Sequence, residues 1–95
     1  MITHTVLLQP KPEMTEEEIA TILNHVRDLQ TQVPGILETQ VGKNLSASHR
    51  GYTYGFVMRF IDKDHLKTYA PHPAHQVVSQ ELQAMCQSII DFDVE

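Results

Sequence analysis

The sequence predicts an α+β domain of order β-α-β-β-α-β, and three observations carry that expectation. The stretches "ITHTVLLQ" and "YTYGFVMRFI" are rich in β-branched or aromatic residues that alternate between two faces, the period of a strand. Between them, "TEEEIATILNHVRDLQTQV" repeats its apolar residues at the period of a helix. After them, a proline-broken helical stretch leads into a short closing strand, "SIIDFDVE".

Each element follows from its residues. In the first strand Ile2, His4, Val6 and Leu8 share one face, and Thr3, Thr5, Leu7 and Gln9 share the other. Pro10 and Pro12 end it, because proline cannot donate to a ladder. Thr15 and Glu18 then make a capping box, and Glu16 to Glu18 put negative charge at the helix N-terminus. Ile19, Ile22, Leu23, Val26, Leu29 and Val33 form one apolar stripe, which Pro34-Gly35 stops. "ILETQVGKN" reads as a weaker second strand, followed by the polar turn "LSASHRG". The third strand sets Tyr52, Tyr54, Phe56, Met58 and Phe60 against Thr53, Gly55, Val57, Arg59 and Ile61. Asp62 is placed to cap a short helix, "DKDHLKTY", which Pro71 must interrupt. Pro73 suits the first turn of a further segment, "PAHQVVSQELQAMC". The result is the split βαβ, or ferredoxin-like, arrangement: a four-stranded antiparallel sheet with its helices on one face.

A chain of 95 residues allows one domain, residues 1–95. It buries only about two thirds of its unfolded surface, so added stability must come from elsewhere. Cys86 is the only cysteine, which excludes an internal disulfide and fits a reducing, cytoplasmic location. No segment reads as a signal peptide or a membrane span. A formal charge of −5 argues against nucleic acid, whose binding requires phosphate neutralisation. The face opposite the helices still carries Leu7, Val57 and Ile61, which is too apolar for open water. A homodimer joined sheet to sheet is expected.

Six histidines stand out: His4, His25, His49, His65, His72 and His75. His25, His49 and His65 read as solvated or edge residues. His72 and His75, three apart, resemble half a metal site, but zinc needs three or four ligands and no supporting Cys, Asp or Glu stands nearby. No metal and no cofactor are expected. Cys86 has no basic partner and reads as core. The segment "YAPHPAH" is the most concentrated chemistry in the chain. A neutral imidazole at His75 can accept a proton, and a phenol at Tyr69 can donate to developing charge on a carbonyl oxygen. Spacing alone favours the plainer reading, in which Tyr69 covers the helix break and His75 caps backbone groups there.

The pattern Y-x-x-H-P-x-H in "LKTYAPHPAH", between a strand and an apolar helix, resembles the signature of the stress-responsive α/β-barrel (Dabb) family. The likeness extends over the whole chain, through His4, "VPGI", "YTYGFVMRF" and "IIDFDVE". It implies a dimeric α+β barrel. One enzyme of that family is olivetolic acid cyclase, a cofactor-free plant polyketide cyclase. By that resemblance His75 is the general base and Tyr69 positions or polarises a carbonyl, with His4 in the pocket. The implied walls are Val6, Leu8, Leu23, Val26, Phe56 and Met58. The chain departs from the cyclase at Leu23 and Val26, where aromatic residues are absent, and at Phe56, which is larger, so the polyketide is not carried over. The implied function is an apolar pocket for a small carbonyl-bearing or aromatic molecule, with cofactor-free cyclase-, lyase- or isomerase-like catalysis. The alternatives are a non-catalytic stress or structural dimer and, behind it, a cofactor-independent monooxygenase.

Overall fold

Alternation in the first strand decides which side of the sheet is covered. The computed structural model describes residues 1–95, with strands β1 (Ile2–Pro10), β2 (Ile36–Lys43), β3 (Tyr54–Phe60) and β4 (Cys86–Val94). Its helices are α1 (Glu16–Gln32), α2 (Lys63–Tyr69) and α3 (Pro73–Met85). The sheet order is β2-β3-β1-β4, with every neighbour antiparallel, as the ferredoxin-like expectation requires.

Ile2, Val6 and Leu8 on β1 are buried with Phe56, Met58 and Phe60 on β3. The α1 stripe of Ile19, Leu23, Val26 and Leu29 covers them, together with Val78, Leu82 and Met85 of α3. Each such side chain contributes about 1.5–3 kcal/mol of burial, so this face drives folding. The capping box at Thr15 and Glu18 forms in both directions, with Glu18 N donating to Thr15 Oγ1 at 3.1 Å. Gly35 takes φ +90°, and a Cβ there would meet the His65 ring at 2.5 Å, so glycine is required where α1 turns into β2.

Two boundaries differ from expectation. β3 begins at Tyr54, because Tyr52 belongs to the turn before it: its N–H donates to His49 O at 2.8 Å and its carbonyl accepts from the Asn44 side chain at 2.9 Å. β4 begins at Cys86, directly after α3, with no connecting loop. No helix is long and apolar enough to cross a membrane.

Register sorts β4. Its Val94, Phe92 and Ile90 pair with Thr3, Thr5 and Leu7 of β1, so they lie on the open face. They are 47, 62 and 44% exposed. Asp93, Asp91 and Ile89 pair with His4, Val6 and Leu8, on the helix side.

A candidate ligand site beside the helix break

The break between α2 and α3 creates the site. α2 ends at Tyr69, and its last carbonyls lose their helical partners because Pro71 and Pro73 interrupt the chain. His72, in extended conformation, caps α3, its Nδ1 accepting from Ala74 N at 3.1 Å. His75, one turn into α3, donates its Nδ1–H back to the orphaned Ala70 carbonyl at 2.9 Å. Fixing the proton on Nδ1 leaves Nε2 of the neutral ring as a free acceptor. His75 also lies against Tyr69, with ring centroids 4.1 Å apart and the planes tilted by 49°.

Tyr69 is 4% exposed and packs edge-on to Phe60 at 5.0 Å. Burial raises its pKa above the ordinary phenol range, and the Asp91 carboxylate pushes in the same direction. The phenol therefore stays protonated and can donate. On its other side, at 5.9 Å, stands His4. His4 is 7% exposed and is the one polar residue in the buried set. It donates Nδ1–H to the Asp93 carboxylate across the β1–β4 ladder, which fixes its ring and again leaves Nε2 free.

These three rings open on one cavity of about 380 Å³ between α3 and the β1–β4 side of the sheet. Of the residues expected to form the site, His4, Val6, Phe56, Tyr69 and His75 line it. Phe56 narrows the cavity without filling it. Leu8, Val26 and Met58 do not line it: each is completely enclosed in the core. Leu23 does not either, and instead borders a separate depression beside Tyr54 and Lys43. The reason is lateral placement: α1 lies against β2, whereas the cavity lies beneath α3, which packs towards β4.

Five further residues line the cavity without having been singled out in the sequence: Ser79, Leu82, Gln83, Ile89 and Asp91. The first three follow from His75 by helical spacing. The other two depend on β4's register, which alternation cannot supply. Asp93 was missed for the same reason. His25 is not simply solvated, since its Nδ1 lies 3.0 Å from both Glu81 oxygens, tying α1 to α3. Cys86 is buried, and its thiol is pushed up to about 11, chiefly by desolvation, which leaves it a poor nucleophile. No group of three His, Cys, Asp or Glu side chains converges as a metal site.

The decisive comparison is with protein families: residues 2–95 match the Stress responsive A/B Barrel Domain. The chain belongs to the Dabb family. A dimeric ferredoxin-like protein of unknown function from Jannaschia is 32% identical, with a TM-score of 0.87, and covers 99% of this chain and 97% of its own. The Arabidopsis thaliana protein At3g17210 superposes with a TM-score of 0.93 at 23% identity, covering 100% of this chain and 94% of its own. A hydroxynitrile lyase from Passiflora edulis shares the fold with a TM-score of 0.90 at 18% identity, over 98% of this chain and 90% of its own. No curated protein matches in sequence. Structural neighbours of this Dabb chain thus include dimeric proteins of unknown function and one lyase.

Proposed function

We propose that this protein binds a small carbonyl-bearing or aromatic molecule in the cavity beneath α3 and carries out cofactor-free proton transfer on it. One observation carries the reading. His75 has its Nδ1–H committed to Ala70 O at 2.9 Å while its ring lies 4.1 Å from Tyr69 in the same cavity. Nε2 of His75 accepts a proton from a C–H or O–H acid. The Tyr69 phenol donates to the carbonyl oxygen as negative charge develops there. The proton then returns from His75 to the product or leaving group. A positioned base of this kind contributes about 10²–10⁴-fold to rate. His4, held by Asp93, is the substrate's second contact. Val6, Phe56, Leu82 and Ile89 exclude water from the reacting end. A hydroxynitrile lyase of the same fold is in keeping with lyase-type chemistry, but at 18% identity its substrate is not transferred to this chain.

The cavity functions within a homodimer joined through the open sheet face. Ile90, Phe92 and Val94 make a continuous apolar stripe there, and dimeric neighbours support pairing. That stripe also favours a second reading, in which assembly itself is the function and the His75–Ala70 bond merely completes the helix break.

A thermal-shift screen of carbonyl compounds and phenols on the wild type, His75→Ala and Tyr69→Phe separates the readings. Ligand binding predicts hits with the wild type that vanish in His75→Ala and weaken in Tyr69→Phe. Hits that persist unchanged in both variants, or none in a broad library, favour the assembly reading.

A further inference from the structure

The reading of the cavity as a ligand site leaves the ligand's charge open, and the groups around it narrow that choice. β4 turns two acids, Asp91 and Asp93, towards its helix-side edge, since they stand opposite Val6 and His4, and Glu95 follows directly after the strand. Of these three acids two are occupied: Asp93 accepts from His4, and Glu95 pairs with Lys63. Asp91 has no ion pair and lines the cavity at its exposed rim.

No lysine or arginine lines the cavity to oppose that carboxylate. In their neutral form the imidazoles do not substitute for one. With both Nδ1–H groups already donated, to Ala70 O and to Asp93, the neutral rings face the cavity with Nε2 lone pairs. The donors that remain are the Tyr69 and Ser79 hydroxyls and the Gln83 amide, and Gln83 already donates to Ser79 Oγ at 3.3 Å. A carboxylate or phosphate entering here would shed water to meet two acceptors and one unpaired negative charge. The chain's formal charge of −5 adds a field of the same sign at longer range.

Resting on that reading of the cavity, we propose that the site selects neutral or cationic ligands that bear N–H or O–H donors and rejects carboxylates and phosphates, with Asp91 as the specificity-determining residue. The substrate class is thus a neutral or cationic carbonyl compound bearing a hydroxyl or amine, not an organic acid or a phosphorylated carrier.

Three planar isosteres test this: benzamide, benzamidine and benzoate, titrated into ¹⁵N,¹³C-labelled protein above the imidazole titration range and followed at His4, Tyr69 and His75. Benzamide and benzamidine are expected to shift those resonances, and benzoate to bind at least about ten-fold more weakly than benzamide. Asp91→Asn should cut the preference for benzamidine over benzoate by about five-fold or more. Asp91 is exposed, so the variant keeps the fold, and its unchanged spectrum away from the cavity verifies this. Benzoate binding as well as benzamide, or an undiminished preference in Asp91→Asn, overturns the charge selection while leaving a ligand site intact. If none of the three shifts a cavity resonance, the ligand-site reading itself falls and the selection falls with it.

Discussion

The two faces of β4 carry opposite chemistry on one strand. Towards the helices it presents Asp91 and Asp93 beside a partly open cavity; away from them it presents Ile90, Phe92 and Val94. In most half-covered sheets the apolar set faces the helices. Here the edge strand reverses that rule at the point where α3 leaves space for a ligand. The lesson is that burial alone does not sort this edge strand: its acids lie at the rim of the cavity beneath α3, and its apolar residues lie on the open face, where a partner can cover them.

The comparison breaks most visibly through the core beneath the helices. Phe60 is completely buried against the His4 and Tyr69 rings, and Phe60→Ala is expected to cost about 3–5 kcal/mol in urea unfolding. Phe92→Asp on the open face should leave the circular-dichroism spectrum unchanged while converting a dimer to a monomer in sedimentation at micromolar concentration. A wild type that sediments as a monomer there would contradict the role given to that face.

Asp93→Asn tests the polar side. It replaces a charged acceptor for His4 with a neutral one, and the expected loss is about 1 kcal/mol, read by the same unfolding curve. The smallest effect is at acid pH. Asp62's carboxyl is held below the usual range chiefly by the His65 backbone N–H, and Glu18's chiefly by the Thr15 backbone. Because both are depressed in the folded state, their contribution is present above the ordinary carboxylate pKa and is lost as pH falls through the lower folded values. Asp62→Asn should therefore flatten the acid limb of stability against pH.

Much of this was legible in the residues. The Thr15–Glu18 box, the α1 stripe and the β1 alternation each encode their own structure locally. "YAPHPAH" also disclosed its logic, since prolines that break a helix leave a carbonyl needing a donor, and His75 supplies it. What the sequence hid depends on tertiary placement. Leu8, Val26 and Met58 share the covered face with His4 but lie where the helices leave no gap. Alternation in "IIDFDVE" could not say which set faced inwards; only pairing with β1 assigns Asp93 to His4. The middle histidine, His72, faces no ligand role of this kind: its side chain caps α3.

The central claim is that the cavity holds a histidine whose open nitrogen faces the ligand. Long-range ¹H–¹⁵N correlation of the imidazoles, at a pH where the rings are neutral, measures it directly. The account predicts the Nδ1–H tautomer for His75, with Nε2 unprotonated and shifting when a cavity ligand is added. An Nε2–H tautomer at His75, or an Nε2 signal indifferent to every ligand that binds the protein, would contradict it.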